Sequence, residues 1–277
     1  MKDFSNKFVY ITGGSSGIGL ETAKIFSSLG AHVAVFARNK ENLNKARNNI
    51  EGQRKSKSQK IYSLQVDISD NNDVQLKMDT TLREFGAPDI LIANAGILHT
   101  DYFEDISFDV FDATMKTNVY GTRNIVAALL PHMKNRGCQI VIVSSGAGLI
   151  GAPGYTAYGT SKFALVGFAE SLRSELNRYN IAVTLVCPPN VDTPMLANEK
   201  ILNSPVLKVL SPGKNLIETL TPISVAKAIV AGISRKKFLV IPGLRLKYFY
   251  LNHRLTNGRI TRFTGDLMTN WIQRRSA

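Results

Sequence analysis

"YITGGSSGIGLETA", residues 10–23, places Gly13, Gly17 and Gly19 between an apolar run of strand length and a stretch with helical spacing. Glycines at such a junction let a buried strand turn tightly into the following helix. Six further apolar runs of strand length come later, and stretches with 3.6-residue spacing separate them. This alternation indicates repeated βαβ units around a parallel sheet.

The repeated units predict the fold class: α/β, a single-domain Rossmann fold with a doubly wound parallel sheet of about seven strands and helices on both faces. We expect the catalytic domain to cover residues 1–243 and a basic aromatic extension, residues 244–277, to pack on or beside it. The predicted strands are 8–12, 32–37, 61–66, 89–93, 138–144, 181–187 and 237–241. The predicted helices are 17–29, 40–51, 71–85, 107–134, 156–178 and 221–234. Five prolines between residues 188 and 220 predict an irregular segment that covers a ligand.

Composition and residue spacing argue against a secreted, a membrane-spanning and a metal-binding protein. The chain has 277 residues, of which 44% are hydrophobic, enough to bury one large core. Its first residues run straight into a strand with no signal sequence, so we expect a cytoplasmic protein. No apolar run reaches the roughly 18 residues of a membrane span. Cys138 and Cys187 lie among apolar residues and are expected to be buried free thiols, and the four histidines show no metal-ligand spacing, so no metal is expected.

The positive charge is concentrated at the C-terminal end. Of the formal net charge of +13, residues 235–277 carry +9, from ten Lys or Arg and one acid. Such a segment suits an anionic phospholipid surface, although a solvated cap over the core would have the same composition. Residues 244–255 (LRLKYFYLNHRL) combine aromatics, leucines and cations as an interfacial helix does. Nucleic-acid binding is not expected, because the segment matches no recognised module.

The glycine-rich turn is also suited to a phosphate group. Small residues allow the backbone to approach a pyrophosphate, and the start of the helix supplies N–H donors. The spacing is G-x-x-x-G-x-G, which differs from the broader G-x-G-x-x-G fingerprint. The predicted cofactor-binding residues of the turn are Gly13, Ser15, Ser16, Gly17, Ile18 and Gly19. At the end of the second strand Arg38 stands near the position where an acid would bind a ribose hydroxyl; a guanidinium suits a 2′-phosphate, so we predict NADP(H) rather than NAD(H).

A second motif concerns proton transfer. In "YTAYGTSKFA", residues 155–164, Pro153 and Gly154 delay the helix start, and Tyr158 and Lys162 stand at i and i+4 on one helical face. An ammonium near a phenol favours the phenolate, so such a tyrosine can exchange a proton with a carbonyl or alcohol. Tyr155 lacks this register and is expected to pack or line the pocket. Ser145 follows the strand QIVIV, at the sheet edge where α/β folds bind ligands, and its hydroxyl could polarise a substrate oxygen.

With these motifs in order, the sequence resembles the short-chain dehydrogenase/reductase (SDR) family over residues 1–240. The resemblance rests on T-G-G-S-S-G-I-G at 12–19, Asp67 in "QVDIS", N-A-G at 94–96, Asn118 in "MKTNVYG", and the Ser145, Tyr158 and Lys162 set. It implies that Tyr158 is the general acid/base and that Lys162 lowers its pKa and holds the nicotinamide ribose. Ser145 would orient the substrate oxygen, and Asn118 would hold a water that links Lys162 to solvent.

The same resemblance assigns the rest of the cofactor contacts. Asp67 and Ile68 would contact adenine; Asn94, Ala95 and Gly96 would pass beside the ribose; Pro188, Val191 and Thr193 would lie at the nicotinamide end. The chain departs from the family pattern in "CPPNVDTPM", where Pro189 replaces a common glycine and removes a backbone donor.

One branch of the family is particularly similar. The segments "CPPNVDTPMLANEK" and "GYTAYGTSKFALVGFAESLRSEL" and the basic tail resemble the 3-ketosphinganine reductases, which use NADPH on a long-chain amino ketone. Two alternatives stay open: a reductase of another ketone, such as a steroid, a β-ketoacyl thioester or a xenobiotic carbonyl, and a non-catalytic NADP(H)-binding regulatory protein. The expected partners are a ketone substrate, an anionic membrane surface contacted peripherally, and further copies of the chain in a dimer or tetramer built on helices 107–134 and 156–178.

Overall fold

Seven parallel strands form the central sheet in the order β3-β2-β1-β4-β5-β6-β9. The computed structural model describes residues 3–201 and 218–276, and it describes the side chains of all of these except 199–201 and 268–276. The order reverses between β1 and β4, as in a doubly wound fold, and the predicted fold class is confirmed. The strands are β1 (Phe8–Thr12), β2 (His32–Ala37), β3 (Ile61–Gln65), β4 (Ile90–Ala93), β5 (Gln139–Val143), β6 (Ala182–Val186), β7 (Asn190–Val191), β8 (Thr219–Leu220) and β9 (Leu239–Val240).

Helices connect the strands and cover both faces of the sheet. They are α1 (Gly17–Ser28), α2 (Lys40–Glu51), α3 (Asn71–Glu84), α4 (Phe108–Met115), α5 (Gly121–Met133), α6 (Thr156–Leu176), α7 (Pro194–Ile201), α8 (Pro222–Ser234), α9 (Leu244–Leu255) and α10 (Arg259–Ser276). Asn39, Asp70, Ser107 and Thr221 cap the N-termini of α2, α3, α4 and α8 with side-chain oxygens.

The helix predicted at 107–134 is interrupted. A π-helical turn, Lys116–Tyr120, separates α4 from α5. Two local contacts are specific to this place: the side chain of Asn118 bonds the backbone of Ile97, and Gly121 leaves room for Ile68, whose Cδ1 would lie 2.6 Å from a Cβ at position 121. Hydrophobic spacing alone carries no sign of such a turn.

The core divides into two layers because side chains alternate along each strand. Tyr10, Leu91 and Ile140 pack with α3, α5 and α6 residues on one face of the sheet. Their sequence neighbours Ile11, Ile92 and Val141 pack on the opposite face with residues of α1 and α8. Cys138 and Cys187 are both free and buried, as expected.

The segment after β6 departs from the irregular structure predicted for residues 188–220. Within it β7 pairs with β8, and Pro194 starts α7. The prediction was wrong for residues 194–201 because proline at the first helical position loses no hydrogen bond and has its φ preset for the helix. Residues 202–217 lie outside the described residues.

The C-terminal extension folds back onto the domain. Leu246 of α9 is 4% exposed, and a Cβ at Gly146 would lie 3.0 Å from its Cδ2. The turn between α9 and α10 has left-handed backbone at Asn257 (φ 48°) and Gly258 (φ 75°), and His253 Nδ1 lies 2.7 Å from the Thr261 hydroxyl across it. In the part of the chain that the structure describes, no helix combines the length and apolarity needed to cross a bilayer.

Candidate active site

The turn between β1 and α1 is built around positions where no side chain fits. Gly13 has φ 66°, and a Cβ there would lie 2.8 Å from the Cα of Ala95. A Cβ at Gly19 would lie 2.2 Å from the carbonyl oxygen of Gly13. The Ser16 side chain makes no capping bond to α1. The loop therefore passes close to the N-A-G segment and leaves the helix N-terminus to other acceptors.

Thr12 joins this turn to the end of β4. Its buried hydroxyl oxygen accepts the N–H groups of Asn94 (3.0 Å) and Ala95 (3.1 Å). The Asn94 side-chain amide returns hydrogen bonds to the carbonyls of Thr12 (3.1 Å) and Gly13 (3.3 Å). Two strand ends from different βα units are thereby held in one arrangement.

The Asn118 side chain also joins two separate segments by hydrogen bonds, beside α6. The residue is fully buried, and its Oδ1 accepts the N–H of Ile97 at 2.8 Å. Its Nδ2 donates to the Ile97 carbonyl (3.0 Å) and to the Ser161 hydroxyl (2.9 Å), which in turn donates to the carbonyl of Tyr158 (2.7 Å). Asn118 thus connects the loop after β4 to the helix that carries Tyr158.

Tyr158 and Lys162 lie together, one turn apart on α6. The Lys162 ammonium is 5.5 Å from the centroid of the Tyr158 ring and donates to the Val143 carbonyl at 3.1 Å. Lys162 is 4% exposed, and burial lowers its pKa to about 8. Helix α6 begins at Thr156, so Tyr155 precedes it, and its ring centroid lies 6.0 Å from that of Tyr158.

Ser145 follows β5 at the carboxyl edge of the sheet. Its backbone is extended (φ −163°), and its hydroxyl accepts the N–H of Ala147 at 3.2 Å. The next residue, Gly146, donates its N–H to the Pro188 carbonyl at 2.8 Å, which fixes the start of the loop after β6. Burial raises the pKa of the neighbouring Cys187 thiol to about 12, so this side chain is neutral beside Lys162.

Arg38 lies at the end of β2, where its side chain is exposed. Its carbonyl accepts a hydrogen bond from Gln65 Nε2 at 2.8 Å, and no described carboxylate forms an ion pair with its guanidinium. A hollow of about 300 Å³ is lined by Arg38, Gln65, Asp67, Asp73 and Lys77. The Asp67 carboxylate accepts from the backbone and hydroxyl of Ser69 (3.0 and 2.7 Å).

These features surround one cavity of about 910 Å³. Sixteen of the residues singled out from the sequence line it: Gly13, Ser15, Ser16, Gly17, Ile18, Arg38, Ile68, Asn94, Ala95, Gly96, Ser145, Tyr158, Lys162, Pro188, Val191 and Thr193. Three do not. Gly19 is buried beneath Gly13, Asp67 lines the smaller hollow, and Asn118 lies behind Gly96, where a Cβ would be 3.0 Å from its Oδ1.

Sequence reasoning missed residues that support or enclose this site. Thr12 and Ser161 act through buried hydrogen bonds between segments far apart in sequence, and no local pattern shows these. Leu246, Phe249 and Leu267 line the cavity from the C-terminal extension. The aromatic and aliphatic content of the extension was visible, but the fold-back that brings it over Gly146 was not.

The residues present fit a nicotinamide dinucleotide. Positions 13 and 17 lack side chains where the backbone must approach a pyrophosphate, and the N-terminus of α1 points to the same place. The exposed guanidinium of Arg38 and the buried ammonium of Lys162, which lies beside the phenol of Tyr158, line the same cavity. Among the described residues no group of three potential metal ligands occurs.

Comparison with known proteins agrees with this geometry. The short chain dehydrogenase family profile matches residues 7–201. A 3-ketodihydrosphingosine reductase from Bos taurus is 36% identical over 224 residues, which is 80% of this chain and 67% of the relative. A 3-oxoacyl-(acyl-carrier-protein) reductase from Chlamydia muridarum is 33% identical over 215 residues, 75% of this chain and 86% of the relative.

Solved structures show the same fold. An SDR from Burkholderia phymatum in complex with NAD has a TM-score of 0.78 at 23% identity and covers 90% of this chain and 93% of its own. An alcohol dehydrogenase from Thermococcus sibiricus complexed with 5-hydroxy-NADP has a TM-score of 0.74 at 22% identity, with 86% and 96% covered. The chain therefore belongs to the short-chain dehydrogenase family and is an NAD(P)-dependent oxidoreductase.

Proposed function

We propose that this protein uses NADPH to reduce the keto group of a long-chain 3-keto lipid, with 3-ketosphinganine to sphinganine as the leading reaction. The observation that carries the proposal is the set of residues that line the cavity. Ser145, Tyr158 and Lys162 line it, and Leu246, Phe249 and Leu267 add apolar lining from the C-terminal extension. A cavity of about 910 Å³ has room for both a cofactor end and an alkyl chain.

The names of several relatives support the same substrate class. Proteins named 3-ketodihydrosphingosine reductase from Bos taurus and Mus musculus are both 36% identical to this chain. The relative from Chlamydia muridarum favours a second candidate, a β-ketoacyl thioester, because its name specifies such a substrate. This candidate belongs to the wider group of other ketones, which also includes steroid and xenobiotic ketones.

The chemistry follows from the side chains. Bound NADPH would supply a hydride to the carbonyl carbon. Tyr158 would give its phenolic proton to the carbonyl oxygen, so that ketone, hydride and proton together yield the alcohol. Ser145 would donate a hydrogen bond to the same oxygen as negative charge develops on it. Lys162 would hold the nicotinamide ribose, and its ammonium would stabilise the phenolate that remains on Tyr158.

The proton must then be replaced from solvent. Both polar atoms of the Asn118 side chain are already bonded, to Ile97 and Ser161. Its main-chain carbonyl lies in the π-helical turn, where it accepts the Thr122 hydroxyl at 2.8 Å, and a carbonyl oxygen has two lone pairs. We propose that this carbonyl binds the water that relays a proton to Lys162.

The test of the reaction is loss of NADPH absorbance with detergent-dispersed 3-ketosphinganine. Tyr158→Phe should lower kcat by about 100- to 10,000-fold, the usual contribution of a general acid. Tyr155→Phe removes a hydroxyl from the neighbouring ring and should cost far less. Equal losses in the two variants would contradict the assignment of Tyr158. Normal cofactor binding without turnover of the lipid, but with turnover of an acetoacetyl thioester, would favour the second candidate.

The choice of NADP(H) depends on Arg38. A guanidinium that no described carboxylate pairs is free to bind a 2′-phosphate through two parallel hydrogen bonds. Arg38→Gln should weaken NADPH binding about 10- to 100-fold and leave NADH binding nearly unchanged. Lys40→Gln, two residues away, is the matched control for charge alone. Equal effects on the two dinucleotides would contradict NADP(H) selectivity.

We also propose a homo-oligomer, a dimer or a tetramer, and peripheral association with an anionic membrane. Three large apolar side chains are exposed on the helices expected at the subunit contact: Phe108 (80%), Tyr120 (55%) and Phe163 (44%). Sedimentation of wild type and Phe163→Glu should differ if this face joins subunits. The membrane is the partner suggested by the net charge of +9 on residues 235–277.

A further inference from the structure

The two C-terminal helices present an apolar surface to solvent, which we call the outer stripe. On α9 it consists of Leu244, Tyr248, Leu251 and Leu255, at i, i+4, i+7 and i+11, so they lie on one helical face. Their exposed fractions run from 55% to 82%. On α10 it continues with Ile260, Phe263 and Leu267, which are 51% to 64% exposed. Scattered apolar residues are ordinary on a surface, but an exposed apolar row on each of two helices that contact each other indicates a contact surface.

The opposite side of α9 is fixed to the domain. Leu246 is buried against Gly146, Phe249 lines the cavity, and Tyr250 packs against the core. The Glu218 carboxylate accepts a hydrogen bond from the N–H of Arg245 (2.9 Å) at the start of the helix. The outer stripe is thus a built part of the fold rather than an unfolded tail.

Cations flank the outer stripe. Lys247 and Arg254 lie on one side of it on α9, and Arg259 and Arg262 lie on α10. No described carboxylate forms an ion pair with any of these four. An apolar face with cations beside it matches the boundary between acyl chains and anionic headgroups, whereas a protein partner would have to supply its own acidic rim.

The cavity opens at the edge of the same surface. Leu267 and Thr264 line the cavity and are exposed, and Met195 of α7 also lines it and is 38% exposed. These three residues form the rim. Leu267 therefore belongs both to the outer stripe and to the opening of the active site.

We infer that the outer stripe docks on an anionic lipid bilayer and sets the rim of the cavity against the acyl-chain region, so that an alkyl chain passes from the bilayer past Leu267 to the catalytic residues. The inference rests on the proposed lipid substrate for its purpose. Its test does not depend on turnover.

The test uses the full-length protein and vesicles of phosphatidylcholine, with or without phosphatidylglycerol. Trp271 is the only tryptophan of the chain and lies in α10, so its fluorescence reports on that helix. Brominated acyl chains should quench it in vesicles that contain phosphatidylglycerol and not in pure phosphatidylcholine at physiological salt. Lys247→Gln should weaken binding about fivefold, the usual effect of one cation near such a surface.

Leucine variants separate docking from general hydrophobicity. Leu251→Glu should abolish quenching and co-sedimentation, whereas Leu76→Glu, at a 63% exposed leucine on α3, should leave both intact. Equal binding by the two variants would overturn the inference. So would a change in sedimentation coefficient in Leu251→Glu with vesicle binding retained, because the stripe would then bind a second copy of the chain.

Turnover distinguishes this inference from the proposed function. With 3-ketosphinganine in anionic vesicles, Leu251→Glu should lose at least tenfold in rate, and with the same lipid in detergent it should match wild type. Vesicle binding that needs Leu251 without any turnover of the lipid would leave the docking surface standing and remove the proposed substrate. Full turnover of the lipid from vesicles by Leu251→Glu would support the proposed substrate and remove the docking surface.

Discussion

Thr12 offers a sharp test of how the site is held together. Its hydroxyl accepts two N–H groups, from Asn94 and Ala95, in a place where Thr12 itself is 1% exposed. Thr12→Val keeps the shape of the side chain and suits a strand, but it leaves both donors without this partner. Each unsatisfied donor costs about 1–3 kcal/mol when buried. Because Asn94 and Ala95 are only partly buried, we expect roughly 2–4 kcal/mol in total.

Thr12→Ser is the matched control, since it keeps the acceptor and removes a methyl group, at a cost of about 1 kcal/mol. Chemical denaturation should therefore rank wild type, Thr12→Ser and Thr12→Val in order of decreasing stability. Thr12→Val should also weaken dinucleotide binding, because the N-A-G segment would lose its attachment to the glycine turn. A Thr12→Val protein as stable as Thr12→Ser would refute the reasoning that the two hydrogen bonds, rather than packing, fix this junction.

Three further changes have defined outcomes. Gly19→Ala places a Cβ 2.2 Å from the Gly13 carbonyl oxygen, so it should lower the free energy of unfolding by about 1–3 kcal/mol and weaken dinucleotide binding. Gly151→Ala, where a Cβ would meet nothing within 4 Å, should change neither quantity. Chemical denaturation and cofactor titration measure the two effects. Burial lowers the pKa of Lys162 to about 8 from 10.5, so the unfolded chain binds more protons than the folded chain between these two pH values. The stability of wild type relative to Lys162→Met should therefore rise with pH across that window. A stability difference that does not change with pH would contradict the desolvation of Lys162. Asp70→Ala removes the acceptor for the N–H groups of Asn72 and Asp73 at the start of α3 and should lower the midpoint of denaturation by the equivalent of about 1 kcal/mol, while Asp70→Asn should restore most of it.

Local patterns in the sequence predicted most of the sheet and much of the site. The strand runs gave all seven strands of the main sheet, because a parallel sheet buried on both faces leaves continuous apolar segments. The start of α6 at Thr156 was also predicted correctly, because Pro153 and Gly154 are local signals that precede it. The proximity of Tyr158 and Lys162 was predicted correctly because helical spacing alone brings residues i and i+4 to one face.

What sequence reasoning missed depends on contacts between distant segments. The π-turn at Lys116–Tyr120 accompanies the bonds between Asn118 and Ile97, 21 residues apart. The pairing of β7 with β8 joins residues on either side of a long segment, and two-residue strands leave no hydrophobic period. Leu246 reaches Gly146 across about a hundred positions, so the apolar wall of the cavity could be seen only in the folded chain.

The π-turn also sets how α4 and α5 are rotated relative to each other about the helix axis. A π-helical turn holds about one residue more than an α-helical turn, and one residue of an α-helix corresponds to about 100°, so the turn offsets the helix after it from the helix before it by roughly that angle. The exposed side of α4, with Phe108, and the buried side of α5, with Ile125 and Leu129, are therefore set independently of each other. Deleting one residue between 116 and 120 would allow a regular helix but would carry Asn118 or the core face of α5 out of register. The number of residues in this turn therefore fixes where Asn118 meets α6, and single-residue insertions or deletions would change that position whereas substitutions would not.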